Sequence, residues 1–208
     1  MPIIVAGLAG SLSRPSKTRA LIETATVRTA TRFGATAVTH DLTDLAPSLG
    51  QARVLGDLDA SARAVVDGLL SADALIVGSP VYKGSYTGLF KHLFDLIPPA
   101  DLAGKPVLLA ATGGGDRHAL VIEHQLRPLF GFFEAATLPT GVYAAERDFT
   151  DGEPTATALL ERIARAVEQL RLHIAGSEPD RLNGTPPSGV GAGRRDPAER
   201  IQLQGTNP

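Results

Sequence analysis

Short apolar runs alternate along the chain with longer stretches in which hydrophobic residues recur every three or four positions. The runs predict five strands, over residues 3–6, 35–42, 74–79, 106–112 and 136–142. The longer stretches predict five helices, over residues 16–33, 58–71, 85–97, 118–134 and 154–174. Buried strands separated by helices indicate an α/β fold with a doubly wound, five-stranded parallel sheet and helices on both faces. Of the two common doubly wound strand orders, we expect 2-1-3-4-5.

The composition changes after Ala175. Glycine and proline recur between residues 176 and 197, a composition that continues neither a helix nor a sheet. We therefore divide the chain into a domain over residues 1–174 and a C-terminal segment over residues 175–208. The segment is interpreted either as a flexible tail or as an arm that wraps a partner subunit, with Ile201 and Leu203 as apolar anchors.

Composition and charge exclude several classes of protein. The 208 residues, 43% of them hydrophobic, are enough for one substantial core. A formal net charge of −2 gives no electrostatic support for a nucleic-acid or membrane partner. The chain has no cysteine, which removes disulfides, thiolate catalysis and cysteine-bound metal. No apolar run approaches the roughly 20 residues of a membrane span and no basic region precedes the first strand, so we expect a cytoplasmic protein without a metal site.

Polar side chains fill the turn between the first predicted strand and the first predicted helix. The carboxyl ends of parallel strands form the ligand-binding edge of such a sheet, and a helix N-terminus there favours an anion. A helix cap is the alternative, and Ser16 alone would supply it. The spacing fits neither a Walker A loop nor a dinucleotide-binding glycine motif. We predict a phosphate site made of hydroxyl donors and two cations, namely Ser11, Ser13, Arg14, Ser16, Lys17 and Thr18.

The turn after the third predicted strand brings backbone donors, hydroxyls and tyrosines to the same edge. Residues 79–88 read Ser-Pro-Val-Tyr-Lys-Gly-Ser-Tyr-Thr-Gly and lie between a buried strand and an amphipathic helix. This combination suits a planar, partly apolar ligand with a hydrogen-bonding edge, whereas the alternative is an ordinary turn with core tyrosines. The predicted contacts are Pro80, Val81, Tyr82, Lys83, Gly84 and Ser85.

Three consecutive glycines follow the fourth predicted strand. Gly113, Gly114 and Gly115 allow the backbone to approach a ligand closely and to adopt positive φ, and three together favour close contact with a flat ligand. Thr112 and His118 flank them and complete the candidate site. His118 either reaches the ligand or only starts the next helix.

The three loops together resemble the NAD(P)H-dependent FMN reductase family of the flavodoxin-like superfamily. The resemblance covers about residues 1–145 and extends to the reductase components of two-component alkanesulfonate and methanesulfonate monooxygenases. It implies a flavodoxin-like fold and a bound FMN, with the phosphate on the 11–18 loop and the ring between the 80–85 and 112–115 loops. It also implies a separate monooxygenase that receives reduced FMN. The matching pieces are Ala9-Gly10-Ser11 with Ser16 and Thr18, residues 80–88 with Lys91, and Ala111-Thr112-Gly113-Gly114 with His118.

Pro128 interrupts the hydrogen bonding of the helix predicted over residues 118–134. Proline has no N–H, and its ring crowds the carbonyl four residues earlier, which belongs to His124. We therefore predict a π-bulge at His124, with a simple proline kink and a solvent-facing histidine as the alternative. In the sulfonate-monooxygenase reductases that the chain resembles, such a bulge lies at a subunit interface and relates to flavin transfer. The resemblance implies this role for His124 and Pro128.

The resemblance further implies an enzyme that passes a hydride from C4 of NADPH or NADH to N5 of FMN. Hydride transfer needs no general base, so no catalytic side chain is assigned, and backbone N–H groups of the glycine loop are expected to stabilise the reduced flavin. A homodimer or homotetramer is expected. One alternative is a reductase that keeps FMN tightly bound and reduces quinones, azo compounds or metal oxyanions; the other, a flavodoxin-type electron carrier, is disfavoured by the small net charge. NADH and NADPH both stay open, and the candidates for a 2′-phosphate contact are Arg14, Lys17, Lys83 and Arg117.

Overall fold

A parallel sheet runs through the middle of the molecule. The computed structural model describes residues 2–174, so the predicted tail or arm over residues 175–208 lies outside the described residues. The strands pair in the order β2-β1-β3-β4-β5, and β6 pairs with β4 further along that strand. The predicted α/β class and strand order are thereby confirmed. The strands are β1 (Ile4–Ala9), β2 (Thr36–Asp41), β3 (Ala74–Pro80), β4 (Pro106–Gly113), β5 (Ala136–Thr137) and β6 (Val142–Ala145).

The fifth predicted strand, over residues 136–142, is wrong as one element. It is divided into the short strands β5 and β6, both parallel to β4. Pro139 lies between them and has no N–H to give to a ladder. At Gly141 the backbone passes so close to the Ile122 side chain that a Cβ would lie 2.6 Å from it. The chain therefore leaves the sheet after β5 and returns one turn later, nearer the carboxyl end of β4.

Helices cover both faces of the sheet. They are α1 (Lys17–Phe33), α2 (Ala60–Ser71), α3 (Gly88–Leu96), α4 (Arg127–Phe132), α5 (Thr157–Gln169) and α6 (Arg171–Ile174). Successive side chains of a strand point to opposite faces, so Leu75 and Val77 of β3 belong to one core and Ile76 to the other. The first core receives α2, α3 and α4, and the second receives α1 and α5. Each core is closed by a separate set of helices, as a doubly wound sheet requires.

Three predicted helices differ from the structure at their ends or within. The predicted helix over residues 85–97 begins at Gly88, because Thr87 caps it by accepting a hydrogen bond from Phe90 N. The helix predicted over residues 118–134 begins later than expected, and a π-helical turn (Ile122–Leu126) precedes the six residues of α4. The last predicted helix begins at Thr157, because residues 149–154 form the hairpin of β7 (Phe149–Thr150) and β8 (Glu153–Pro154). No helix within residues 2–174 is long and apolar enough to cross a membrane.

Candidate functional site at the carboxyl edge of the sheet

The 11–18 loop joins β1 to α1 and carries a cluster of hydroxyl groups. Ser16 caps α1, with its Oγ accepting from Arg19 N at 3.2 Å, and it also donates to Ser11 Oγ at 2.8 Å. Thr18 is the second residue of the helix and shares a buried hydrogen bond of 2.6 Å with Thr112 Oγ1 at the end of β4. The hydroxyl bond thus connects the 11–18 loop to the 112–115 loop, 94 residues away in the sequence. The predicted helix cap and the predicted hydroxyl cluster coexist in one turn.

The two cations of the 11–18 loop are paired with carboxylates of the protein. Arg14 donates to Asp41 at 2.9 Å and to Asp44 at 2.6 Å, and Lys17 forms an ion pair with Glu146. The Asp41 side chain is fully buried. Burial raises the pKa of this carboxyl. Hydrogen bonds from Arg14 and from Thr43 have the larger, opposite effect and bring the pKa down to about 2. The positive charge expected at the loop is therefore largely neutralised within the protein.

The 80–85 loop is a tight reverse turn held by two backbone hydrogen bonds. Tyr82 N donates to Ser85 O at 2.8 Å, and Ser85 N donates to Tyr82 O at 3.2 Å. The two central residues, Lys83 and Gly84, have φ of 53° and 86°, a combination typical of a type I′ turn. Val81 N donates to Thr112 O at 2.8 Å, which holds the turn against the end of β4.

The exposure of the tyrosines argues against a turn built only around core side chains. Tyr82 is 62% exposed, so its ring is available at the surface of the loop. Tyr86, in contrast, packs against Phe90 with ring centroids 5.9 Å apart. One tyrosine of the motif therefore belongs to the core and the other to the candidate site.

The three glycines of the 112–115 loop have different requirements. None of them uses the positive φ that glycine allows; the described glycines that do are Gly34, Gly84, Gly104 and Gly152. A Cβ on Gly113 would overlap the hydroxyl of Tyr143, whereas one on Gly114 or Gly115 would meet nothing within 4 Å. Packing within the protein therefore explains why a glycine is needed at position 113, but not at 114 or 115. Gly114 and Gly115 leave open space beside the loop, and His118 ends the short 3₁₀ turn that follows it.

Two side chains that the sequence did not predict as site residues, Tyr143 and Arg147, contact the 112–115 loop and the residue after it. Tyr143 Oη donates to Gly115 O at 2.5 Å, and Arg147 Nη2 donates to Asp116 Oδ1 at 2.6 Å. These partners are about 30 residues apart in the sequence, and no local pattern signals their contact. Asp41 was detectable, since the predicted strand order places the end of β2 next to the 11–18 loop.

The predicted π-bulge is confirmed, with His124 at the middle of the π-helical turn. Arg127, the residue before Pro128, donates its backbone N–H to Ile122 O, five residues earlier. Gln125 of the same turn accepts a hydrogen bond from Ser85 Oγ at 3.0 Å, so the turn contacts the 80–85 loop. His124 and Pro128 are exposed and line a groove of about 600 Å³ between α3 and α4.

The three loops therefore meet at one edge, bounded by hydroxyl groups, an exposed tyrosine and open glycines. The strand register supports the same conclusion, because Ala9 pairs with Gly78 and Pro80 pairs with Thr112. Within the described residues, no group of three histidine or acidic side chains is placed to hold a metal ion. The edge offers neutral hydrogen-bond donors and open space beside Gly114 and Gly115, which suit a planar organic ligand with a phosphate group.

Solved structures with the same fold include proteins of more than 30% identity. An oxidoreductase from Corynebacterium diphtheriae superposes with a TM-score of 0.71 at 35% identity, over 84% of this chain and 98% of that one. The NADH:FMN oxidoreductase EmoB, in its apo form, superposes with a TM-score of 0.68 at 31% identity, over 80% of this chain and 89% of that one.

Sequence relatives give the same family. The NADH-dependent FMN reductase SfnF of Pseudomonas fluorescens is 48% identical over 81% of this chain and 90% of its own length. An FMN reductase (NADPH) of Pseudomonas aeruginosa is 47% identical over the same shares. The family model described as NADPH-dependent FMN reductase matches residues 3–150, a range that includes all three loops. The chain therefore belongs to the NADPH-dependent FMN reductase family.

Proposed function

We propose that this flavin oxidoreductase uses NADH or NADPH to reduce FMN and passes the reduced FMN to a separate flavin-dependent monooxygenase of sulfonate or other organosulfur utilisation. The observation that carries the proposal is the meeting of the three loops at one edge in a chain of this family. The relatives named SfnF and SfnE are NADH-dependent FMN reductases, and they support FMN as the flavin.

The 11–18 loop fits the phosphate group of FMN. Ser11 and Ser16 are linked by their hydroxyls at the N-terminus of α1, a helix of 17 residues whose first N–H groups favour an anion. Ser13 is exposed on the same loop, and Thr18 fixes the first turn of the helix through Thr112. Since Arg14 and Lys17 are already paired with carboxylates, they offer less attraction to the phosphate than free cations would. This favours an FMN that exchanges between turnovers over one that stays bound.

The 80–85 and 112–115 loops fit the flat ring system. The open space beside Gly114 and Gly115 admits a ring against the backbone, and Tyr82 has an exposed side chain on the opposite loop. When bound, FMN supplies the hydride-accepting chemistry. The residues of the chain would bind and orient it, and the backbone N–H groups of the 112–115 loop would stabilise the negative charge that reduction places on the ring. Pro80, Val81, Lys83, Gly84, Ser85 and His118 complete the proposed lining.

The groove beside His124 and Pro128 is the proposed place of subunit association and flavin transfer. Phe132 at its margin is 71% exposed, a large apolar side chain that association would cover. A homodimer or homotetramer that uses this groove would place the π-helical turn at the interface. The hydrogen bond from Ser85 to Gln125 would then link subunit association to the 80–85 loop. A cytoplasmic location remains a prediction.

Steady-state kinetics with free FMN test the proposal. The purified protein should oxidise NADH or NADPH with added FMN as a saturable substrate, and dialysis should remove any flavin that copurifies. A candidate monooxygenase should accelerate product formation only in the presence of this protein. An enzyme that stays yellow on dialysis and reduces quinones or azo dyes, or a protein that binds FMN without turnover, would refute the proposal.

A further inference from the structure

The chain segment that begins in β6 contacts two of the three loops of the site. We name residues 143–148 the brace segment; it comprises the end of β6 and the 3₁₀ turn Glu146–Asp148. Its backbone is fixed by the pairing of Ala144 with Thr112 and by a hydrogen bond of 2.8 Å from Ala145 N to Asp148 Oδ2. The segment therefore offers a rigid base to whatever it contacts.

The brace segment holds the glycine loop at two points. The Tyr143 hydroxyl donates to Gly115 O at 2.5 Å, and it occupies the space that a Cβ on Gly113 would need. Arg147 forms an ion pair of 2.6 Å with Asp116, although both side chains are about two-thirds exposed. Exposed ion pairs contribute little, so the hydroxyl bond is the principal contact.

The brace segment also contacts the 11–18 loop. Glu146 forms the ion pair with Lys17, whose ammonium group lies 6.0 Å from the ring centroid of Phe149, directly after the segment. The same six residues thus fix the relative placement of the two loops that the proposed function assigns to the phosphate and to the ring of FMN.

We propose that Tyr143 is a positioning residue for flavin binding, acting through Gly115 to hold the glycine loop in its ligand-binding conformation. The inference rests on the proposed function, because it takes FMN as the ligand of this loop. A loop that is already ordered loses less conformational entropy on binding, so the hydroxyl bond favours FMN affinity rather than the chemical step.

The hydroxyl keeps its proton over the working pH range. Burial raises the pKa of Tyr143, and the negative charges of Asp116 and Asp148 raise it further, while Arg147 lowers it. Tyr143 therefore remains a hydrogen-bond donor at neutral and mildly alkaline pH. The effect of removing the hydroxyl should be the same at pH 6.5 and at pH 9.

The test is the Tyr143→Phe variant of the full chain, which loses the hydroxyl and keeps the ring. One hydrogen bond of ordinary strength corresponds to a change of about 3- to 10-fold in the Kd for FMN. The KM for FMN should rise by the same factor, with kcat at saturating FMN and the KM for the nicotinamide substrate changing less than about twofold. Arg147→Gln should weaken FMN binding by a smaller factor.

Thr150→Val is the matched control. It removes a hydroxyl bond of 2.9 Å, between Thr150 and Thr155 in the adjoining hairpin, that does not involve the glycine loop. Its Kd for FMN should equal that of the wild type. The inference is overturned if Tyr143→Phe leaves the Kd within twofold of wild type, if Thr150→Val or Arg147→Gln weakens FMN binding as much, or if kcat falls with no change in KM. A wild-type protein that binds FMN without reducing it would instead refute the proposed function, while the Kd comparison would still decide the role of Tyr143.

Discussion

Replacing Asp41 by asparagine removes one negative charge from the buried cluster beside the 11–18 loop. The carboxylate accepts hydrogen bonds from Arg14, from Arg19 at 2.9 Å, and from both the backbone N–H and the hydroxyl of Thr43. The asparagine side chain keeps the shape but offers one acceptor oxygen instead of two. Its NH₂ group would also face N–H groups of Arg14, Arg19 or the Thr43 backbone, which cannot accept a hydrogen bond; the Thr43 hydroxyl is the one partner that can. The variant should therefore fold with lower stability and a loosened 11–18 loop.

The size of the loss follows from the pKa of Asp41. That pKa falls from an ordinary 3.8 to about 2 in the folded protein, despite the opposing effect of burial. At roughly 1.36 kcal/mol per pKa unit, the charged form contributes about 2 kcal/mol to the free energy of unfolding at pH 7. Because the folded pKa is the lower one, this contribution is complete above pH 4 and is lost as the pH falls toward 2. About half of it should remain at pH 3.

Urea unfolding of wild type and Asp41→Asn at pH 7, pH 5 and pH 3 measures the difference. We expect a loss of about 2 kcal/mol at the first two pH values and roughly 1 kcal/mol at pH 3. Asp67→Asn is the control, since Asp67 is half exposed and, among residues 2–174, forms its ion pair with Arg63 of α2 alone; it should change stability by no more than about 0.5 kcal/mol. A loss at pH 7 no larger than that of Asp67→Asn, or a loss independent of pH, would refute the reasoning.

Four further substitutions test other parts of the structure. Gly114→Val should raise the Kd for FMN more than about tenfold at unchanged thermal stability, because its side chain enters open space beside the loop. Flavin fluorescence titration measures the Kd and a melting curve the stability, and an unchanged Kd would contradict the proposed FMN site. Gly78→Ala should cost at least about 2 kcal/mol of unfolding free energy, since its Cβ would lie 2.8 Å from a backbone oxygen of β4. Gly68→Ala, at an open position of α2, should instead raise the free energy of unfolding by about 0.5–1 kcal/mol. If urea unfolding shows Gly78→Ala to be the more stable of the two variants, the packing argument is wrong. Lys105→Met should cost about 1–2 kcal/mol, because the Lys105 ammonium donates to two carbonyls at the end of α2; equal midpoints for variant and wild type would rule this out.

The sheet was predictable because its evidence is local. Each inner strand is a continuous apolar run, buried on both faces, and such runs separated by helical spacing admit few arrangements. The π-helical turn was predictable for a similar reason, since Pro128 removes one N–H and crowds one identifiable carbonyl. The divided fifth strand was missed because the apolar run over residues 136–142 conceals the close contact between Gly141 and Ile122, which only the packed structure creates.

The candidate site was predictable in position but not in electrostatics. Strand ends in a parallel sheet meet at one edge, so the three loops followed from the strand order. The position of Asp41 at the end of β2 followed from the same order, but the pairing of Arg14 with Asp41 and of Lys17 with Glu146 did not, because no local pattern links residues 27 and 129 positions apart in the sequence. Tyr143 was missed for the same reason: its role depends on a hydrogen bond to a backbone carbonyl, and a carbonyl has no sequence signature.

The π-helical turn has a consequence for how the length of this chain can vary. Such a turn contains one more residue than an α-helical turn, so deletion of one residue from Ile122–Leu126 would convert it to ordinary helix. Residues on its carboxyl side, among them Phe130 in the core, would keep their register with the sheet. Loss of a single codon, which usually disrupts a helix, would here alter only the side chains that line the groove. The surface proposed for subunit association can therefore diverge between related enzymes while the core beneath it remains the same.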